Sequence, residues 1–522
     1  MNRVISKLLH LSFTPCATLL FTTVPASAAS FDPAALLARP ATQLSAGQFN
    51  ALLLSSPTGQ QLLQVAGTPR CDIALIEYPY LTLGARNELT NATGALMLPT
   101  GSTPGCSGQR PLVLYAHGTA MDRNYNMADL QNNTEATTIA ATYAAQGYIV
   151  VAPNYAGYGA SRLSYHPYLV ASQQSKDMLD GLIGARLTLG LNNPALPAGT
   201  PRTRENGQLF LTGYSQGGHV AMATQRLFQN LGIRLTAAAP SSGPYALQAF
   251  VVTLFYGNVN LPAPLMANML ADSYQRSYGI FSSPYDIYEY GYATLANGLL
   301  PSSTPIGTIL QQGLLPQFAL FSGTPPHAPN GDPNLQNLLN SISPPANNPL
   351  ALLGFGSGNL INNNYRLGYI MDALASPDGA VPSYTTGQPA SSAHPLRKAL
   401  KNNDLRGWRN GPSRPTLLCG ANSDPTVYYL NTRLMQGQWS GLPAGRVTTL
   451  DIDAPASSAS DPFAPLKAGF AQTKAAIAAA AVQAGATDGG QAAVMGQYHF
   501  IAAPFCLTAA RGFFQQVAAN GL

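Results

Sequence analysis

Ser215 stands at the centre of Gly213-Tyr214-Ser215-Gln216-Gly217-Gly218-His219, between the apolar run Gln208 to Thr212 and a helix-periodic run from Val220 to Leu231. A serine with glycine two residues away on each side, at a strand-to-helix turn, is the pattern that lifts a hydroxyl clear of a sheet. The glycines have a mechanical reason. The serine must adopt a strained backbone conformation, and a side chain at Gly213 or Gly217 would collide with the neighbouring strand or helix. The chemistry offered is nucleophilic attack, which a serine performs only when a histidine takes its proton and a carboxylate orients that histidine.

The rest of the chain can supply both groups. Asp424 lies in Cys419-Gly420-Ala421-Asn422-Ser423-Asp424-Pro425-Thr426-Val427, just past a strand-like run, and strand ends are where a doubly wound sheet collects its active groups. Asp404, Asp451 and Asp453 compete for the role, but Asp451 and Asp453 lie within or just after the next strand. Past the leader, the histidines are His117, His166, His219, His327, His394 and His499. Of these only His499, in Gly496-Gln497-Tyr498-His499-Phe500, falls after the last predicted strand and before the closing helix. The order Ser215, Asp424, His499 is the order such a sheet uses. Acyl transfer also needs donors for a developing oxyanion. The backbone N–H of Gln216 is one, and the loop His117-Gly118-Thr119-Ala120 supplies the other, from Thr119 or its neighbour Ala120. His117, His166 and His219 read as loop supports.

These groups need a scaffold, and the chain has the rhythm of one. Cys71 to Tyr78 and Gly94 to Leu98 predict a hairpin, with Asn87 and Asn91-Ala92-Thr93-Gly94 supplying turn chemistry. Buried-strand runs follow at Pro111 to Tyr115, Tyr148 to Ala152, Gln208 to Thr212, Leu235 to Ala239, Pro415 to Cys419 and Arg446 to Ile452. Helical segments alternate with them at Ile139 to Gln146, Ser172 to Leu189 and Val220 to Leu231. Continuous apolar strands alternating with helices predict a mostly parallel sheet covered on both faces. The rhythm breaks over 245–400, rich in Leu, Pro, Asn and Tyr, which reads as an inserted helical cap or, alternatively, a second domain. An Ala-rich helix is expected from Pro465 to Ala484, closed by Gly485.

Composition narrows the classes. The first 28 residues carry Arg3 and Lys7, then a mostly apolar run to Val24 and Ala26-Ser27-Ala28 before Ala29, the marks of a cleaved export signal. The expected location is therefore secreted or periplasmic, with no membrane-spanning segment in the mature protein. Of 522 residues only 9% are charged and 46% are hydrophobic, and removing Arg3 and Lys7 takes the net charge from +5 to +3. No basic block exists, so nucleic acid is not an expected partner. Cys71, Cys106, Cys419 and Cys506 remain after Cys16 is removed with the leader, enough for two disulfides with three possible connectivities. Cys71–Cys106, clasping the hairpin, and Cys419–Cys506, tying the C-terminal loops, are the favoured pairs. No metal or other cofactor is expected, since no Cys/His spacing suits zinc.

The Gly213–Gly218 turn, the His117-Gly118-Thr119 loop, Asn154-Tyr155-Ala156-Gly157-Tyr158-Gly159 and His166-Pro167-Tyr168-Leu169 together resemble the secreted lipase/esterase branch of the α/β-hydrolase superfamily. The resemblance covers about 71–243 and 414 to the C-terminus. It implies an α/β-hydrolase fold, a doubly wound, mostly parallel sheet with an inserted helical cap. The layout is then a signal at 1–28, a helical extension at 29–70, core at 71–244, cap at 245–400 and core again at 401–522. It also implies a serine carboxylic ester hydrolase acting through Ser215, Asp424 and His499, with Thr119 and Gln216 as oxyanion donors. The substrate would be an uncharged hydrophobic ester, whether a small molecule, a lipid or a polyester. An acyltransferase using the same residues, or a non-catalytic exported binding module on this scaffold, are the alternatives. Oligomeric state is not legible in the sequence.

Overall fold

The structure is a computed structural model describing residues 42–190, 203–346, 349–378 and 387–520; the expected signal segment lies outside them. Nine strands of the described chain join in one sheet in the order β1-β2-β3-β5-β4-β6-β7-β8-β9. They are β1 (Thr42–Leu44), β2 (Asp72–Leu83), β3 (Leu89–Thr100), β4 (Gln109–Ala116), β5 (Ile149–Pro153), β6 (Arg204–Tyr214), β7 (Ala237–Ser241), β8 (Thr416–Gly420) and β9 (Val447–Asp451). From β5 through β9 every pairing is parallel, while β1, β2 and β3 run antiparallel to their neighbours. The chain leaves β4 for β5 on one side and returns to β6 on the other. That reversal opens a crevice at the carboxyl ends of β4 and β6.

The pleat of β4 shows why its apolar run is continuous. Leu112, Leu114 and Ala116 pack with Met178, Leu182, Val220 and Phe228 of the helices Ala171–Gly190 and Gln216–Asn230. Val113 and Tyr115, pointing the other way, join Ile139, Phe505 and Phe513 of the helices Thr134–Thr142 and Gln491–Ala519. Both faces are covered, so alternation disappears from the sequence.

Two local expectations change. Asn91 to Gly94 is not a turn. These residues lie inside β3, where Asn91 opposes Leu81 and Gly94 opposes Tyr78. The reversal sits earlier, at Gly84 to Glu88, where Gly84 N–H bonds Glu88 O at 2.8 Å and Asn87 takes φ 63°. Asn91 instead uses its side chain as a splint, donating to Ala160 O and accepting from Arg162 N–H. The stretch before Cys71 is also not wholly helical. Its helices Ala46–Leu54 and Pro57–Ala66 follow the short strand β1, which extends the sheet by pairing Thr42 with Leu75.

Between β7 and β8 a run of helices from Leu247–Phe255 to Pro395–Asn403 builds its own apolar cluster. The cluster also takes in Tyr168, Leu169 and Val170 from the loop after β5. The exit and return of this segment are fastened together. Leu405 N–H bonds Tyr245 O at 2.8 Å, and Gln248 N–H bonds the buried Asp404 carboxylate at 2.9 Å. Arg406, fully buried, balances Asp404 and Asp378, and a buried charge persists only when paired in this way.

The disulfides are Cys71–Cys106, at the base of the β2–β3 hairpin, and Cys419–Cys506. The second joins the end of β8 to the C-terminal helix across 87 residues. Closing a loop of that length restricts the unfolded chain by about 4.6 kcal/mol. The double variant Cys419→Ser/Cys506→Ser is expected to lose about that much stability in urea unfolding. An unchanged midpoint would mean that packing alone holds the helix to the strand.

Candidate active site

The turn after β6 is drawn hard against β4. A Cβ on Gly217 would stand 2.0 Å from Ala116 O, and one on Gly213 would stand 2.3 Å from Gly217 O. Gly218 is equally confined, 2.2 Å from Ser241 O. No side chain fits at such distances, so this contact is open to glycine alone. Between them Ser215 holds φ 60° and ψ −126°, a conformation rarely tolerated by a residue with a Cβ. It is fixed by Ser215 N–H donating to Ser241 O at 3.1 Å and Gly218 N–H donating to Ser215 O at 2.9 Å.

Asp424 follows β8 and His499 lies 75 residues later, yet His499 Nδ1 and Asp424 Oδ2 meet at 2.6 Å, both buried. The other carboxylate oxygen accepts the amides of Thr426 (2.9 Å) and Val427 (3.2 Å). A carboxylate can only accept from Nδ1, so the imidazole carries its proton there and presents Nε2 as an acceptor. Nε2 is buried with no partner among the described residues. His499 is not in a loop before the closing helix, as the sequence suggested; it lies within the helix Gln491–Ala519. The same helix carries Cys506, and the strand before Asp424 carries Cys419, so one covalent bond braces both partners.

The 75-residue interval includes the helix Ala464–Gln483, whose one buried residue, Phe470, packs edge-on against Tyr498 and Phe505. Asp453 meets both Tyr498 Oη and Lys474 Nζ behind the histidine. Asp451 accepts the amides of Asn422 and Asp453, and Asp404 is bound to Arg406. All three competing aspartates are thus engaged elsewhere. Tyr214 links the serine turn to the histidine helix. Its hydroxyl donates to His499 O at 2.7 Å and its ring lies 4.9 Å from the imidazole.

Thr119 and Gln216 are arranged differently from each other. Gln216 N–H is the first amide of its helix and has no intrahelical acceptor. Thr119 places its hydroxyl 3.1 Å from Tyr168 Oη, and among the described residues its amide finds no acceptor. Glu135, which the sequence analysis did not single out, holds this loop. It accepts Gly118 N–H (2.8 Å) and the hydroxyls of Tyr115 and Tyr125 (2.6 Å each). An acidic residue after Asn133 is legible as a helix start, whereas its reach to Gly118 is a tertiary fact.

The three supporting histidines are buried. His117 sets its ring nitrogens against the carbonyls of Gly118 and Asn154. His219 bonds Asn403 O at 2.9 Å. His166 Nδ1 donates to Ala156 O (3.0 Å), so its Nε2 accepts from Gln216 Nε2 (2.8 Å). Burial pushes the pKa of His166 down to about 3 and that of His219 to about 4, and both stay neutral.

Ser215 and Gln216 open into an apolar pocket of about 840 Å³, its mouth included, walled mostly by the segment between β7 and β8. No acid, base or histidine lines it. Among the described residues no group of His, Cys, Asp and Glu is placed to hold a metal ion.

In solved structures this architecture recurs. The rice cell wall degrading esterase LipA from Xanthomonas oryzae superposes with a TM-score of 0.60 at 24% identity, over 83% of this chain and 94% of that one. A provisionally assigned hydrolase of Legionella pneumophila gives 0.61 at 20% identity, over 92% and 97%. The fold is that of the α/β-hydrolases. No family model matches the chain, and no curated protein does. In this fold Ser215 follows the end of β6, Asp424 follows β8, and His499 on the C-terminal helix meets Asp424.

The buried histidines give the fold a pH signature. Their folded pKa values lie below the unfolded value of about 6.5, so the unfolded chain takes up protons first on acidification. Their contribution is complete above pH about 6.5 and is lost as pH falls toward the folded values. Asp177, pushed up to about 6 by burial, works the opposite way, gaining stability as pH falls from about 6 to about 4. Urea midpoints are expected to decline from pH 7 to pH 5, and less steeply in His219→Gln, whose amide can still donate to Asn403 O. Equal slopes in the two proteins would contradict the burial of a neutral His219.

Proposed function

We propose that this protein is an exported serine carboxylic ester hydrolase acting on uncharged, hydrophobic esters. The observation that carries the reading is the 2.6 Å His499–Asp424 contact, joined through Tyr214 to a serine held at φ 60° in the wall of an apolar pocket. Ser215 Oγ attacks the ester carbonyl while His499 Nε2 takes its proton. Asp424 stabilises the resulting imidazolium, and the amides of Gln216 and Thr119 receive the oxyanion. Collapse expels the alcohol, which leaves with the proton from His499. A water then attacks the acyl-enzyme through the same base, and the acid departs with Ser215 restored.

A pocket without carboxylates, histidines or cationic side chains favours neutral, apolar chains, because an unpaired charge inside it would be desolvated at a cost of several kcal/mol. In this reading the segment 245–400 is the cap that selects the substrate. Two disulfides fit an oxidising compartment. Among the described residues no helix is long and apolar enough to cross a membrane.

The test is hydrolysis of p-nitrophenyl esters of graded chain length. Ser215→Ala and His499→Gln are each expected to lower kcat by at least about 10⁴-fold with little change in KM. A fluorophosphonate should label the wild-type serine and not the Ser215→Ala variant. Wild type that neither turns over any ester nor takes the label would end the hydrolase reading.

A further inference from the structure

The two partners of the His499–Asp424 bond are also tied together by a second hydrogen-bonded path, which runs through Asp453. Tyr498 is buried immediately before the base, and its hydroxyl donates to Asp453 Oδ2. Asp453 N–H donates to Asp451 Oδ1 at 3.0 Å, and the same oxygen accepts Asn422 N–H at 3.1 Å. Asn422 stands just before Ser423 and Asp424. The helix that bears the base is therefore joined to the loop that bears the acid directly at His499 and Asp424, and again through Tyr498, Asp453, Asp451 and Asn422.

The Ala-rich helix Ala464–Gln483 completes this path. Lys474 pairs with the other oxygen of Asp453, and its Nζ lies 5.1 Å from the Phe470 ring centre and 5.5 Å from that of Tyr498. Phe470 and Lys474 stand at i and i+4 on one face of their helix, and both meet Tyr498. The Asp453 side chain is only 10% exposed, and a carboxylate so placed needs a partner. Lys474 supplies it and keeps the carboxylate seated against Tyr498. The other lysine of the helix, Lys467, binds Asp461 and Pro455 O instead.

We infer that Asp453, with Tyr498 and Lys474, is a positioning group that fixes how the His499 imidazole faces Asp424. The inference rests on the esterase reading for the role of His499 in the reaction. None of the three residues lines the pocket, so their loss acts on the chemical step and not on substrate binding. Misplacing a reacting group by about 1 Å costs on the order of a hundredfold in rate.

The test measures kcat and KM for p-nitrophenyl butyrate, per folded enzyme, in Asp453→Asn, Tyr498→Phe and Lys474→Met, with Lys467→Met as the control on the same helix. The first three are expected to lower kcat by about ten- to a hundredfold with KM within about twofold of wild type. Lys474→Arg, which keeps the charge, is expected to recover most of the loss. Lys467→Met is expected to keep the wild-type kcat, whatever it does to the melting temperature. Should Asp453→Asn fail to fold, Lys474→Met, altered at a partly exposed side chain, decides. A second readout needs no turnover. The low-field proton NMR signal of His499 Nδ1–H, identified by its absence in His499→Gln, is expected to shift or broaden in the three variants and to stay in place in Lys467→Met. If wild type hydrolyses no ester and takes no fluorophosphonate while this signal responds as stated, the esterase reading fails and the positioning assignment stands. Variants that melt lower yet keep both kcat and the signal would overturn the inference, leaving the path a fastening of the fold. So would a Lys467→Met variant that loses as much kcat as Lys474→Met.

Discussion

Among the glycines of the described residues, the tightest confinement lies where the turn after β6 meets the end of β4. With a Gly217 Cβ position 2.0 Å from Ala116 O, the helix Gln216–Asn230 packs against the sheet only because three glycines leave room for bare backbone. Everything at the carboxyl edge inherits its position from that contact. Ser215 is forced to positive φ, its amide is pinned to β7, and the helix begins with a free N–H on Gln216. Strain of this kind persists only where surrounding structure over-determines it. Here the determinants are parallel ladders on both sides of β6.

Asp424 and His499 come together from distant sequence, and the chain uses unusual means to hold them. The Cys419–Cys506 bond and the Tyr214–His499 hydrogen bond connect β8, the C-terminal helix and the serine turn into one frame. The Ala-rich helix looks expendable by composition, yet Phe470 props the helix that bears His499 from behind. A base carried on a helix loses less freedom on ordering than one on a loop, which suits a geometry that must be held to tenths of an ångström.

The segment between β7 and β8 contributes in another way. It carries its own apolar cluster, is fastened to the core at Tyr245–Leu405 and Gln248–Asp404, and walls the pocket beside Ser215. The pocket is consequently a product of two cores meeting. Its polarity is confined to a few side chains, of which Gln216 and Asn260 are held by bonds to His166 and to Thr426 O.

What the sequence determined by itself follows from local rules. Gly213, Ser215 and Gly217 announced the strained turn because only that residue pattern satisfies it. Continuous apolar runs announced a sheet buried on both faces, and the order Ser215, Asp424, His499 followed from where those runs end. Tertiary structure decided the rest. Asn91 to Gly94 has turn-like composition but is held in a strand by side-chain bonds to Ala160 and Arg162. His499 sits inside a helix because the neighbouring residues pack on Phe470 and on the strand that Cys506 is tied to. Glu135 gave no sequence signal of its hold on the loop, since it acts through a partner brought near only by folding, Gly118.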